Sequence, residues 1–416
     1  MTTRTYRLAG VLVAALVGMA ATAAVGRIRN GPPIPADVQA RLKPYPSAYY
    51  TVYSDLEPAK VQLAIARLTA VAEEYHERTK TFGGKITQKW PFYMIADPAD
   101  FKAAGGQAAG NAWGDRLVIL AAKKYEKDFW HVIQHEAWHQ FAHEVITENL
   151  PGWIDEGLAE YFGESLWTGD GLACGVIPKA RYARFMPRLR EGKIRPFKEI
   201  ILIRADKWAG IDAYDQALTM VHFMLHAEGG KYQKALTACL NAAVAGKPPE
   251  AAFAAAFGPD FEALEKEYLA YWTALPPASL ERPYRQATVA TMAAYLARAK
   301  SQGQKFAAVE DFFKAAADGS LKASPKQPLP EELLADALGR AQALKEWSLE
   351  PPPGKTGLPK LILRDADGTV YTATLTPAKG QADKVKIDVK EGVADAAAVP
   401  PAPAPVTPGK AVRKKK

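Results

Sequence analysis

The sequence predicts an α+β protein. Three short strand-like runs, Tyr49–Tyr53, Phe92–Ile95 and Leu117–Leu120, precede a long stretch dominated by helical apolar spacing, and alternating strands return only after Leu361. Strands grouped apart from helices, in place of a regular βαβ alternation, mark this class. At 416 residues, 48% hydrophobic and 24% charged, the chain has the composition of a soluble globular protein. It is long enough for two or three domains with a sizeable core.

Taken in order, the chain opens on Arg4 and Arg7, then an uncharged apolar run over Leu8–Val25 with Ala21-Thr22-Ala23 as an A-x-A cleavage site. This pattern predicts a secretory signal peptide over residues 1–24 and export to the periplasm or beyond. An uncleaved membrane anchor is the alternative, because the run nearly reaches spanning length. A first domain is expected over 45–277. Its opening strand, Tyr49–Tyr53, leads into a helix over Glu57–Thr79, where Val61, Leu63, Ile65, Leu68 and Val71 keep helical spacing. Strands at Phe92–Ile95 and Leu117–Leu120 follow. Gly105, Gly106 and Gly110 make the loop between them flexible, as a flap over a site would be. Lys231–Leu240 and Phe261–Trp272 read as amphipathic helices, and Pro276-Pro277 closes the domain.

Ala-rich helices are expected over 278–350, with no clean repeat period. After a Pro351-Pro352-Pro353 linker, Leu361–Leu363 and Val370–Thr374 form a hairpin turned at Asp367-Gly368, and Val385–Val389 adds a strand. Together they make a small β module over 356–392. Residues 393–416 are rich in Ala, Pro and Val and end on Lys410, Arg413 and Lys414-Lys415-Lys416. They read as a disordered tail whose basic tip could touch an anionic cell surface weakly. Much of the net charge of +8 lies there, and no nucleic-acid module is recognisable. Beyond the leader the chain has only Cys174 and Cys239, which excludes a disulfide scaffold and a cysteine-rich zinc site and leaves one disulfide open.

The chemistry concentrates in His135-Glu136-Ala137-Trp138-His139. Imidazoles four apart project from one helix face and can take neighbouring corners of a zinc tetrahedron. The glutamate after the first His can sit beside the water such a metal activates. His131, His135, His139 and His143 recur every four residues, but only the central pair has Glu in second place; Val132 and Gln140 stand there in the others. A four-residue repeat drifts by ~40° per step on a 3.6-residue helix, so all four rings cannot face one ion. His131 and His143 are read as helix-surface residues or as supports behind the ligands. A catalytic zinc takes three protein ligands and keeps a position open. The third comes from a neighbouring element, and a helix over Trp153–Phe162, begun after the Leu150-Pro151-Gly152 turn, carries Glu156 and Glu160 on one face. Glu156 is read as the ligand and Glu160 as hydrogen-bond partner to the far nitrogen of a ligating His, although either could reach an ion. Solvated surface glutamates are the alternative, and they fit poorly beside Trp153, Leu158, Tyr161 and Phe162.

These blocks, His135-Glu136-x-x-His139, then Trp153-x-x-Glu156-Gly157-Leu158-Ala159-Glu160-Tyr161-Phe162, then Tyr214-Asp215-Gln216, resemble the gluzincin zinc metallopeptidases. The nearest likeness is to the peptidase-MA-like family of bacterial exported proteins, over roughly residues 45 to 275. The resemblance implies a thermolysin-like zincin core, a small mixed sheet ahead of the HExxH helix and a helical lobe after it. It implies one catalytic Zn²⁺ on His135, His139 and Glu156, with Glu136 as general base. The Trp-x-x-Glu-Gly setting favours Glu156 over Glu160, and Gly157 leaves room for close helix packing. Tyr214 becomes the candidate oxyanion donor, with His222 as second candidate. Leu117–Leu120 would rim the cleft and pair with an extended substrate, a plain interior strand being the alternative. The expected reaction is hydrolysis of a peptide or protein substrate by zinc-polarised water. Two other classes remain open. One is a non-catalytic zincin-fold binding protein, which an intact Glu136 argues against; the other is an amide hydrolase acting on cell-wall peptide.

Overall fold

The computed structural model describes residues 30–79, 86–106, 110–114, 116–120, 127–147, 150–204, 207–208, 210–325, 327–351, 359–376 and 384–392. The expected leader over 1–24 and tail over 393–416 lie outside these residues, as do most of the proline linker and 107–109 of the glycine-rich loop.

Helix α1 (Ala36–Arg41) leads into β1 (Lys43–Pro46), β2 (Tyr50–Ser54), α2 (Pro58–Thr79), β3 (Trp90–Ile95), α3 (Pro98–Ala103), β4 (Gly110–Ala112) and β5 (Leu117–Leu120). The strands form one mixed sheet in the order β1-β2-β3-β5-β4. β2, β3 and β5 run parallel, and the outer pairs β1/β2 and β4/β5 are antiparallel. Because side chains alternate across a strand, β3 feeds two layers. Phe92 and Met94 join the main core with Tyr50, Val52 and the α2 stripe Val61, Leu68, Val71 and Tyr75. Tyr93 and Ile95 face the other way, onto Val38 of α1, Leu42 just after it and Phe101 of α3. β5 is an interior strand with β3 and β4 on its two edges, so Leu117–Leu120 is not the rim strand, and the outer position belongs to β4. Gly110 sits in β4 and forms no flap. A Cβ there would come within 2.8 Å of Val132, so glycine lets this strand lie against the next helix.

That helix is α4 (Lys127–Phe141), which ends in a wider, π-type turn over Ala142–Ile146. Then come α5 (Gly152–Gly163), a hairpin of β6 (Leu166–Trp167) and β7 (Leu172–Ala173), α6 (Lys179–Arg190), α7 (Phe197–Ile200), α8 (Ile211–His226), α9 (Gln233–Val244), α10 (Pro249–Phe257) and α11 (Phe261–Ala274). These helices share the main core, with Trp138, Trp153 and Trp272 fully buried in it. Helix α5 is its pivot, because all of its residues are buried. A Cβ at Gly157 would lie 2.6 Å from Val221 and 2.8 Å from the Ala217 carbonyl oxygen. Only glycine allows α5 and α8 to approach this closely. Cys174 and Cys239 are both free.

Three further helices, α12 (Pro277–Ser301), α13 (Val309–Ala317) and α14 (Glu331–Gln342), precede an antiparallel sheet of β8 (Glu346–Glu350), β9 (Lys360–Arg364), β10 (Val370–Thr376) and β11 (Lys384–Lys390), ordered β11-β10-β9-β8. Strand β8 corrects the expectation of helix up to residue 350. Its Trp347 and Leu349 pair with Leu363 and Leu361 of β9, and helices and sheet share one second core. Arg298 of α12 reaches back to Asp170, between β6 and β7, at 2.8 Å.

Candidate metal centre

Helices α4 and α5 pack side by side and bring a row of imidazoles against a row of carboxylates. The four-residue spacing places His131, His135 and His139 along one side of α4, and the widened turn carries His143 beyond them. Facing them, α5 presents Asp155 in its first turn, then Glu156 and Glu160, with Glu164 just past its end. The positive end of the α5 dipole favours anions at its start.

Among the described residues, three groups of side chains on this seam could hold a metal ion: His131/His135/Glu160, His135/His139/Glu156 and His139/His143/Asp155. They are not equivalent. In the first, the Arg181 guanidinium already contacts Glu160 and lies 2.7 Å from Glu164. In the third, the Asp155 carboxylate accepts from both rings, His139 Nδ1 at 3.0 Å and His143 Nε2 at 2.8 Å. The middle group has neither kind of satisfaction. Its Glu156 Oε2 is buried with no hydrogen-bond partner; Glu160 Oε2 lacks one too but has the Arg181 guanidinium against it.

The middle group has the shape a tetrahedral ion requires. His135 Nε2 and His139 Nε2 are 3.1 Å apart, and Glu156 Oε2 lies 3.4 Å from the first and 3.5 Å from the second. Bonds of about 2.0–2.1 Å at the tetrahedral angle demand edges of roughly 3.3–3.4 Å. With Nδ1–H of His139 donated to Asp155, its Nε2 presents a lone pair. Two ring nitrogens and a carboxylate oxygen converging at these distances fit a metal ion, which would take the place of the protons that join them without one.

The electrostatics agree. Burial opposes charge on His139, yet Asp155 and Glu156 outweigh it and push the ring's pKa well up. His135 shows the same balance, burial against Glu156, with a net rise. Burial would raise Glu156, but His139 and His135 hold it down to about 2. Asp155 is likewise kept far below the usual carboxylate range against its burial, by His139 and His143. The pocket therefore holds ionised carboxylates that attract cations, and metal entry would displace protons from it.

Glu160 stands where the sequence reading puts it, behind His135, but its Oε1 is 3.5 Å from Nδ1, too long for a well-formed hydrogen bond. The closer support is Asp155, which the sequence reading passes over. The available signal was an acid directly before the ligand candidate Glu156, in a helix made largely of apolar residues. His143 is the second residue on that carboxylate, and His131 lies 3.6 Å from Glu160 and 3.5 Å from Glu164. Glu136 is partly exposed and outside the triangle. Its charge raises the pKa of both His135 and Tyr214, which puts all three in one neighbourhood. The Tyr214 ring, in the first turn of α8, is 6.3 Å from the His135 ring. Burial, then the charges of Glu156, Glu160 and Glu136, raise its phenol's pKa, so it stays a proton donor.

His222 is a correction. It lies eight residues further along α8, about 12 Å from Tyr214, with Nδ1 3.2 Å from the Tyr271 hydroxyl and its ring against Trp272. It does not face the triangle. Gln216 is architectural too: its amide donates to the Arg195 carbonyl at 2.7 Å and accepts from the Arg195 N–H at 3.0 Å.

Residues 129–250 match a family described as a protein of unknown function (DUF1570). The matched span includes every side chain of this seam and Tyr214. No curated protein and no solved structure matches the chain.

Proposed function

We propose that the protein is an exported zinc-dependent metallopeptidase of the gluzincin type, with His135, His139 and Glu156 as ligands of a single Zn²⁺. The observation that carries the reading is the buried triangle of ligand atoms with edges of 3.1, 3.4 and 3.5 Å, flanked by an acid and a phenol. A non-catalytic metal site would need neither. The mixed sheet ahead of α4 and the helical lobe after it are consistent with a thermolysin-like core. The arginine-led apolar leader supports export, and sequencing of the mature N-terminus should find Ala24 or Val25.

When bound, zinc supplies a Lewis acid strong enough for a water to lose its proton near neutral pH. Glu136 would act as general base, taking a proton from the attacking water and passing it to the leaving amine. Tyr214 donates its phenolic proton in a hydrogen bond to the oxygen that becomes negative. Asp155 holds the His139 ring through Nδ1, which keeps its Nε2 facing the ligand triangle. Glu160 stands behind His135 in the same sense.

The experiment is metal analysis of protein prepared without chelator, together with digestion of a mixed peptide library by wild type and Glu136→Gln. About one zinc per chain and cleavage that collapses in the variant, with zinc retained, are expected. A protein without zinc, or a variant with unchanged turnover, would sink the reading. Zinc retained with no cleavage by wild type would leave a binding protein.

A further inference from the structure

Arg181 of α6 is largely buried, and one guanidinium there joins three elements. It contacts Glu160 of α5, places Nε 2.7 Å from Glu164 Oε1, and places Nη1 3.2 Å from Asp215 Oδ1 on α8. Arg184 takes the same Asp215 through a fork of 2.9 and 3.0 Å. Asp215 directly follows Tyr214, and Glu160 lies 3.5 Å from the rear nitrogen of His135. The network therefore ends, on one side, behind a proposed metal ligand and, on the other, beside the proposed oxyanion donor. Of its members, only Glu160 has a part in the proposed reaction.

We infer that Arg181 is a positioning residue of the metal centre, clamping the Glu160 carboxylate behind His135 Nδ1 and excluding Glu160 from metal ligation. Two physical points carry this. Glu156 and Glu160 share a helix face, so a free Glu160 could compete for an ion with His131 and His135, which form a second ligand-capable group with it. The guanidinium meets that carboxylate's need for a cation, whereas Glu156 Oε2, likewise buried without a hydrogen bond, faces the two imidazoles of His135 and His139 at 3.4 and 3.5 Å. The planar fork also fixes geometry that a long glutamate side chain could not keep unaided, since Arg presents five donors in one rigid plane. The clamp spans α5, α6 and α8, so it holds Glu160 and the start of α8 in one frame.

The inference rests on the metal-centre reading, and its test separates the two. Metal-free wild type, Arg181→Gln, Arg181→Lys, Glu160→Gln and the Arg181→Gln/Glu160→Gln double variant are titrated with zinc against a chromophoric chelator. Each is also loaded with Co²⁺ for its visible d–d spectrum, and folding is checked by circular dichroism. Arg181→Gln is expected to bind zinc about 10-fold more weakly, the lower end of the usual cost of an outer-shell partner, with a changed Co²⁺ spectrum. Arg181→Lys, which keeps charge without the fork, should fall between. The double variant should be no weaker than the weaker single variant, because both act through one carboxylate. A folded Arg181→Gln with wild-type affinity and spectrum overturns the inference, and so do additive losses in the double variant. Should Arg181→Gln fail to fold, Glu160→Gln decides: unchanged zinc affinity there overturns the link as well. Wild type that binds no zinc removes the metal reading itself, whereas zinc-binding wild type with an indifferent Arg181 removes only this step.

Discussion

Replacing Asp155 tests the centre most sharply, because its carboxylate is the shortest support behind any proposed ligand. One oxygen accepts from His139 Nδ1 at 3.0 Å and the other from His143 Nε2 at 2.8 Å. Hydrogen bonds to an ionised acceptor contribute about 1.5–3 kcal/mol, against about 0.5–1.5 kcal/mol for neutral pairs. Asp155→Ala deletes the bond to the ligand ring outright, so zinc affinity should fall by about 10- to 100-fold, about 1.4–2.7 kcal/mol. Asp155→Asn keeps the shape and one acceptor but loses the charge, about 1–1.5 kcal/mol, so the loss should be about 5- to 15-fold. The assay is competition of metal-free protein with a chromophoric chelator, repeated as zinc-dependent thermal stabilisation, which must fall in step with affinity. Glu160→Ala, whose contact to His135 is 3.5 Å, should cost less than Asp155→Ala. Wild-type affinity in Asp155→Ala, or a larger loss in Glu160→Ala, would refute the assignment of Asp155 as the main support.

Three further outcomes are expected. Gly157→Ala forces a methyl to within 2.6 Å of Val221 and 2.8 Å of the Ala217 carbonyl, and should destabilise the fold by about 1–3 kcal/mol in urea unfolding; an unchanged midpoint would contradict the close helix contact. Tyr214→Phe should keep zinc and lower kcat by about 10²–10³, and an undiminished kcat would exclude the phenol as oxyanion donor. His226, partly buried and near Arg78, has its pKa lowered from 6.5 to about 4 by loss of solvent and by that charge, so the unfolded chain binds the proton first as pH falls. Stability from this group is present above pH 6.5 and lost on the way down to about pH 4, in total about 3 kcal/mol. Metal-free wild type should lose that much more than His226→Gln between pH 7 and pH 4, and parallel losses would show that this ring does not drive the acid sensitivity.

Much of the site was legible because its logic is local. Ligand spacing at His135 and His139 is a property of one helix and needs no knowledge of its neighbours. The burial of Glu156 and Glu160 followed from the apolar residues around them, and Gly157 announced a close contact before its partner was known. Strands β3, β5, β9, β10 and β11 were readable from their β-branched and aromatic runs. Strands β1 and β4 were not, since Lys43-Pro44-Tyr45-Pro46 and Gly110-Asn111-Ala112 carry turn-like residues and become strands only beside β2 and β5. The same holds for the interior place of β5, which depends on β4 closing its second edge.

Tertiary structure alone decided the pairing across the seam. Asp155 and Glu160 both lie within one turn of Glu156 in sequence, and only the packing of α5 against α4 sets the first at 3.0 Å from the His139 ring and the second at 3.5 Å from that of His135. His222 had the right chemistry for an oxyanion donor, but the rise of α8 carries it away towards Trp272. Arg181 stands 42 residues from His139 in the chain, with no motif tying it to α4. Helical periodicity states which side chains share a face, but an ion pair between helices depends on how those helices cross, and that geometry is written in the packing of the whole core.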